Sequence, residues 1–482
     1  MDLQPRFGGM PIRAAIAYLI AFAIAACVYL TVWSSAPVLQ SDSGGYLNAA
    51  QDLADFHLDQ LQSRPPGYPL LLLLTGSSVS PNRWLVITSL GLHFAGIWLL
   101  ATLLCRAGLS ARMLVLFCFI LLLPPYVEAA GYVLSENLAE FMLIAAFASV
   151  VIWRDTEKVV WMVIAGAALG YAALTRPTFQ YLAFAFAGCL YMSAVLRLVH
   201  GKLPSLMRAS AILLVVSTTL IAAYATENYR RFGHFTASPI LGFALSTKTA
   251  GVLERLPDEY AQVRAILIKA RNEEAASGQF RPGTTSIFTA RPELTRVTGL
   301  RGADLSAYLV KMNVALIQRA PLNFLDEVIH GFGVYWLPSA GDLANFHSRR
   351  AQLLWSLLHF VIIAGFVLTL LLLGGVGSLF VGMHAFVRSL RSLLTLDCIR
   401  RLSFQSFTYL VASCIVFYTA IVSSAIGVGD PRYRVPTDAL IVFMLFMGVA
   451  LWREIVSVGA TLATTAPPLA IYQPPQSRSA AS

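Results

Sequence analysis

Long apolar runs recur from one end of the chain to the other, and polar residues collect in the gaps between them. The runs cover about 14–33, 84–105, 113–126, 132–153, 159–175, 179–196, 209–226, 352–373, 404–426 and 438–452. Most approach the roughly 20 residues that a helix needs to cross a hydrocarbon core of about 30 Å. The pattern predicts an all-α polytopic membrane protein of about ten transmembrane helices, with the run at 113–126 short for a full crossing. Within the long polar stretch between 226 and 350 the period changes. Tyr260, Val263, Leu267 and Ala270 recur at helical spacing, so 257–277 reads as an exposed helix, and Leu305, Leu309, Met312 and Leu316 give a second over 305–319. Between them, 277–299 is rich in Gly, Pro and Thr and reads as loop.

Charge fixes the orientation. Arg6 and Arg13, Arg106 and Arg112, Arg154 and Lys158, the Arg197–Lys202–Arg208 group, and Arg388, Arg391, Arg400 and Arg401 all fall on one side of the ten-span scheme. The positive-inside rule makes that side the cytoplasm, with both termini inside. The basic residues of the long outer segment do not conflict, because long loops escape the rule. A cleaved signal peptide is the alternative for the first run. That run is long beside an h-region of about 7–15 residues, and Pro37 sits where cleavage would fall, so an uncleaved anchor is expected. The chain then divides into a membrane domain over 1–226 with its first outer loop at 34–83, an outer loop domain over 227–350, C-terminal membrane helices over 351–453, and a disordered cytoplasmic tail over 454–482.

Composition agrees. The sequence is 57% hydrophobic and 12% charged, with a mean hydropathy of +0.68, where a soluble domain carries roughly 25% charged residues. The net charge of +10 belongs largely to short inside loops and does not argue for nucleic acid. The cysteines are Cys27, Cys105, Cys118, Cys189, Cys398 and Cys414, none in an outer loop, so no disulfide framework or CxxC metal site is available there. His57, His234, His330, His347 and His359 show no HExxH spacing. No phosphate-binding Walker loop, dinucleotide fingerprint or GxSxG elbow occurs, and no nucleotide cofactor is expected.

The polar residues that need explaining lie on the outer side. Ser41-Asp42-Ser43-Gly44-Gly45-Tyr46 places a carboxylate on a flexible loop, followed by Asp52, Asp55 and Asp59. Asp42 suits a general base or a phosphate- or metal-facing group. It equally suits the N-cap of a helix beginning near Tyr46. Arg64-Pro65-Pro66-Gly67-Tyr68-Pro69 reads as a rigid extended element before Leu70, or simply a proline-punctuated loop. Glu136 opens the fourth span, where an acid is costly unless partnered; it could pair with Arg176 or serve a site, and Glu128 and Glu140 are further candidates. Arg176-Pro177 closes the fifth span, and Asp430-Pro431-Arg432-Tyr433-Arg434-Val435-Pro436 fills the last outer loop. Forked guanidinium bonds from Arg176, Arg432 and Arg434 suit a phosphorylated lipid headgroup, and interfacial snorkelling is the simpler reading for any one of them.

In this order the segments resemble GT-C fold glycosyltransferases, in particular the bacterial relatives of protein O-mannosyltransferases and lipid A aminoarabinose transferases. The resemblance is carried by the Asp42 loop with its Tyr-Leu and Ala-Ala, and by Arg64-Pro65-Pro66-Gly67-Tyr68-Pro69. Tyr132-Val133-Leu134-Ser135-Glu136-Asn137, Gly170-Tyr171-Ala172-Ala173-Leu174-Thr175-Arg176-Pro177, Ala320-Pro321-Leu322-Asn323-Phe324-Leu325 and Arg432-Tyr433-Arg434-Val435-Pro436 extend it over nearly the whole chain. It implies a GT-C-like bundle in the bacterial inner membrane, with a periplasmic active site. The donor would be a polyprenyl-phosphate-linked sugar, and the acceptor an unidentified periplasmic or lipid molecule. Asp42 would be the catalytic carboxylate, with Arg176, Arg432, Arg434, Arg64 and Tyr433 toward the donor and Glu136, Tyr46 and Tyr68 in support. The loop carries a single Asp where the family has an Asp-Glu or Asp-x-Asp pair, so the part of a divalent cation stays open. A ligase or polymerase of lipid-linked saccharides and a lipid or saccharide transporter are the competing readings. A scaffold whose outer domain binds a partner is a third, under which Asp42 would be dispensable.

Overall fold

The structure is a computed structural model that describes residues 6–7, 10–29, 36–56, 64–195, 203–278, 283–338, 348–389, 396–427 and 429–465. His57, Asp59, Arg197, Lys202, His347, Arg391 and the tail from 466 lie outside the described residues. Among those described, the regular structure is helical apart from a two-residue antiparallel ribbon, Arg6–Phe7 with Met10–Pro11, and an isolated parallel bridge between Val38 and Tyr132.

Among the described residues, six helices are long and apolar enough to cross a membrane: Arg83–Arg106, Glu136–Thr156, Pro204–Phe232, Arg349–Leu372, Phe404–Ile426 and Pro431–Ser457. The short run at 113–126 appears as two helices, Ala111–Leu121 and Pro124–Gly131, bent by 66° at Leu122–Leu123; counted as one broken span they make seven. The bend follows from Pro124 and Pro125, which cannot continue the preceding hydrogen-bond ladder. The other three expected crossings coincide with shorter helices, Ile12–Val28, Val159–Thr175 and Leu182–Val195. Two of these, Ile12–Val28 and Leu182–Val195, run up close to residues outside the described ones, and among the described residues six or seven spans pass by length and composition. The last helix continues past Arg453 to Thr465, so the segment expected to be a disordered tail begins as helix.

Burial separates a hub from a rim. In the helix Glu136–Thr156, 78% of the apolar window is buried, against 22% for Pro204–Phe232 and Arg349–Leu372, whose exposed leucines, valines and phenylalanines suit lipid. The hub helix meets the last helix through Phe147 and Phe443, edge to face at 5.3 Å.

The segment after Phe232 buries its own cluster, including Val263, Leu267, Leu294, Leu305, Leu309, Met312 and Leu316. The expected periodicities correspond to the helices Ala261–Ala276 and Gly302–Arg319. The expected loop at 277–299 instead contains a helix, Ser286–Thr298. Its N-terminus is capped from a distance: the Glu274 carboxylate accepts hydrogen bonds from the backbone N–H groups of Gly283, Thr285 and Ser286 at 2.8, 3.0 and 2.8 Å. The helix Pro321–Tyr335 then leads back to the membrane helices, burying Gly331 and Tyr335 while Leu322, Leu325 and Ile329 stay exposed.

Candidate functional site

The loop after the first apolar helix is stitched to the mouth of the hub helix. Val38 N–H donates to the Gly131 carbonyl at 2.9 Å, Val133 N–H to the Val38 carbonyl at 3.0 Å, and Ser43 Oγ to the Val133 carbonyl at 2.9 Å. Asp42 stands at the N-cap position of the helix Ser43–Ala54, yet its side chain makes no capping bond. The cap reading therefore describes its place in the chain and not the use of its carboxylate.

The segment from Arg64 is not extended throughout. Pro66 is in helical geometry at the N-cap, and Gly67–Leu74 is a helix with Tyr68 and Pro69 in its first turn. Gly67 allows this helix to touch the end of Val159–Thr175. A Cβ at Gly67 would lie 2.5 Å from Thr175 Oγ1 and 2.7 Å from the Leu174 carbonyl, and Tyr171 Oη donates to the Gly67 carbonyl at 2.8 Å. That contact carries Arg64 and Tyr68 to the same mouth as Arg176, which follows Thr175 directly.

The last loop reaches this mouth through Gly429, whose φ of +71° places it beside the helix Pro321–Tyr335; a Cβ there would lie 2.3 Å from the Gly331 carbonyl. Asp430 then accepts from Arg432 N–H at 2.8 Å and starts the tight turn Pro431–Arg434.

A continuous row of charges results. Arg64 Nη2 donates to Asp42 Oδ1 at 2.7 Å, and Arg432 Nη2 lies 2.9 Å from Asp42 Oδ2. Arg432 Nε donates to Glu136 Oε1 at 2.6 Å, and Arg176 Nη1 stands 2.9 Å from the same oxygen, out of line for a hydrogen bond. The tyrosines line the row. Arg64 lies over the Tyr46 ring at 4.5 Å and Arg176 over the Tyr433 ring at 5.5 Å, with Tyr46 and Tyr68 edge to face at 5.0 Å. Tyr46 Oη shares a hydrogen bond with Ser135 Oγ at 2.8 Å.

The row has a buried end and an open end. The Glu136 and Arg176 side chains are 3% and 9% exposed, whereas Arg64, Arg432 and Asp42 are 22%, 31% and 37% exposed. Burial pushes the Asp42 carboxyl up, but Arg64 and Arg432 together outweigh it and hold the group below the usual carboxylate range. Three guanidiniums against two carboxylates leave the row one positive charge in excess.

No family model matches the sequence, and no curated protein matches it. Among solved structures the fold is similar to the archaeal oligosaccharyltransferase AglB from Archaeoglobus fulgidus, in complex with an inhibitory peptide and a dolichol-phosphate. The TM-score is 0.47 at 14% identity, over 94% of this chain and 52% of that one. The chain thus spans about half the length of the archaeal protein. ArnT from Cupriavidus metallidurans is also similar, bound to undecaprenyl phosphate (TM-score 0.37, 16% identity) and in the apo state (0.36, 17%), each over 96% of this chain and 82% of that one.

Of the expected site residues, Asp42, Arg64, Arg176, Arg432, Tyr433, Glu136, Tyr46 and Tyr68 come together. Arg434 does not. It is 2% exposed, with Nε donating to Asp438 at 2.6 Å and Nη1 to the Tyr335 and Leu337 carbonyls at 2.7 Å each. A guanidinium so occupied ties the last loop to the end of Pro321–Tyr335, with Nε and Nη1 both spent there. Glu140 is likewise spent on His93, Oε2 to Nδ1 at 3.2 Å, and Glu128 is buried in the turn Glu128–Gly131.

Sequence reasoning passed over Asp438, His93 and Ser135. The i, i+4 spacing of Arg434 and Asp438 was the available signal for the first pair. As for a cation, both oxygens of Asp42 already face guanidiniums, and no group of three or more His, Cys, Asp or Glu able to hold a metal ion occurs among the described residues.

Proposed function

We propose that this chain is an integral-membrane glycosyltransferase that moves a sugar from a polyprenyl-phosphate donor to an acceptor at the outer, periplasmic face. The row Arg64–Asp42–Arg432–Glu136–Arg176 carries the proposal. Such a transfer needs an acceptor hydroxyl stripped of its proton and a leaving phosphate stabilised as negative charge grows on it. The row offers a partly exposed carboxylate beside guanidiniums at the mouth of a helix bundle, where limited solvent strengthens each charge.

The acceptor oxygen attacks the anomeric carbon while the bond from that carbon to the phosphate oxygen breaks. The bonding pair departs on the polyprenyl phosphate, facing Arg64 and Arg432, and the acceptor proton passes to Asp42. Glu136, itself paired with Arg176, holds Arg432 from beneath. Of the residues expected toward the donor, the proposal puts Arg64 and Arg432 at the phosphate and sets aside Arg434, whose Nε and Nη1 are bonded elsewhere. The sugar–phosphate linkage supplies the driving force, so no nucleotide site is required, and no step depends on a metal.

The test is transfer from a panel of defined polyprenyl-phosphate sugars by the protein reconstituted in vesicles. Asp42→Asn should lower turnover by about 10²–10⁴-fold, the usual share of general-base catalysis. A folded Asp42→Asn protein with full turnover would remove Asp42 from the chemistry. An active-site reading of the whole row fails if no donor in the panel is bound or consumed.

A further inference from the structure

The proposed base is in a poor state for its task, since both of its oxygens are held by guanidiniums. A carboxylate so paired has lost basicity, and each of its oxygens already spends a lone pair on a cation. The same two arginines are the accessible cations that a phosphate entering the mouth would meet first. We infer that Asp42 is an internal stand-in for the donor phosphate: phosphate binding takes Arg64 and Arg432 from Asp42 and so releases the carboxylate as a base. The inference rests on the transferase reading above and gives its site a control.

The groups facing Asp42 make the exchange feasible on one side only. Arg64 comes from the segment before Gly67, and Arg432 and Tyr433 from the last loop. Arg432 keeps its Nε on Glu136 at 2.6 Å, with Arg176 behind, so it can give up Asp42 without losing its anchor. Arg64 keeps its place over Tyr46. The charge also fits. The row carries one excess positive charge, which a donor phosphodiester with its single negative charge neutralises. When the sugar has left, Asp42 has given its proton to solvent and competes again for both arginines. The carboxylate that starts the reaction thereby helps to expel the polyprenyl phosphate it creates.

The test is binding of farnesyl phosphate, a short polyprenyl monophosphate, to detergent-solubilised full-length protein. If Asp42 is the competitor, Asp42→Asn binds the probe about 10-fold more tightly than wild type, roughly what one charge-assisted hydrogen bond contributes. Asp55→Asn changes the formal charge equally at the exposed far end of the same helix and should leave affinity unchanged. In wild type, carbodiimide-driven labelling of Asp42 with an amine should rise several-fold when the probe is bound. Equal or weaker binding by Asp42→Asn, equal tightening by Asp55→Asn, or labelling unmoved at saturation overturns the exchange. In those cases the phosphate site itself still stands if Arg432→Gln weakens binding. If wild type binds no probe, or Arg432→Gln binds it as wild type does, the site reading fails and the exchange with it.

Discussion

Arg434 lies two residues from Arg432 in a loop that offers both as phosphate ligands, and an Arg434→Ala variant separates their roles. The substitution removes three charge-assisted hydrogen bonds, one to Asp438 at 2.6 Å and two to the Tyr335 and Leu337 carbonyls at 2.7 Å. It also strands the Asp438 carboxylate, whose side chain is 18% exposed. Breaking a buried pair by removing one member costs about 3–5 kcal/mol, mainly for the charge left behind; the partial exposure of Asp438 places this case near about 3 kcal/mol. For a chain of this size that corresponds to a fall of roughly 3 °C in apparent melting temperature, compared at one scan rate because membrane proteins seldom unfold reversibly. Asp438→Asn added to Arg434→Ala should recover about 1–2 kcal/mol, since the stranded charge is gone and the pair is coupled. Farnesyl phosphate affinity of the folded fraction should stay within about twofold of wild type, well under the tenfold that 1.4 kcal/mol represents. An unshifted melting temperature together with a tenfold loss of affinity would refute the assignment and return Arg434 to the phosphate.

Two further outcomes follow from contacts elsewhere. Gly67→Ala places a methyl group 2.5 Å from Thr175 Oγ1, and overpacking of that kind costs about 1–3 kcal/mol; it should lower both the melting temperature and kcat/KM, because Arg64 moves with the helix, and a variant matching wild type in both would contradict the contact. Burial raises the Glu274 carboxyl, but the Thr285 and Gly283 N–H groups outweigh it and hold it below its ordinary value, so its stabilisation is present above the unfolded pKa and lost as pH falls through the folded one. Glu274→Gln should cost about 1–3 kcal/mol at neutral pH and flatten the acid side of the melting-temperature profile; an unchanged acid slope would refute it.

The helices around Leu267 and Leu309 could be read from sequence because their apolar period matches a buried stripe. The helix Ser286–Thr298 could not, since the carboxylate that caps it belongs to Glu274 on the preceding helix, outside any local window. A similar limit applied at the site. Asp42, Glu136 and Arg176 were findable because charges at span ends are few and costly. Which of Arg432 and Arg434 faces Glu136 depends on the turn Pro431–Arg434 being a 3₁₀ helix. At about three residues per turn, positions two apart point to different sides, so two arginines that look equivalent in sequence separate in space. The capping geometry of Asp42 was legible as position only, because the competing ligand for its oxygens arrives from 22 residues downstream with Arg64, and from the far end of the chain with Arg432.

The division of the row into a buried and an exposed half has a physical purpose. A buried ion pair is a weak source of stability, because desolvation consumes most of the Coulombic gain. Glu136 and Arg176 are thus better explained by what they fix than by what they stabilise. Glu136 is the first residue of the most buried of the candidate spans, where the unpaired N–H groups of the helix start favour a negative charge. Held there, its Oε1 gives Arg432 one anchor that solvent cannot replace, while Asp42 at the open end gives a second that a phosphate can. A guanidinium tied at both ends by buried acids would be inert, and one tied at neither would lose its aim. Under the proposed transfer, the asymmetry would let Arg432 change ligands while keeping its position, as a site must when its phosphate arrives as a diester and leaves as a monoester.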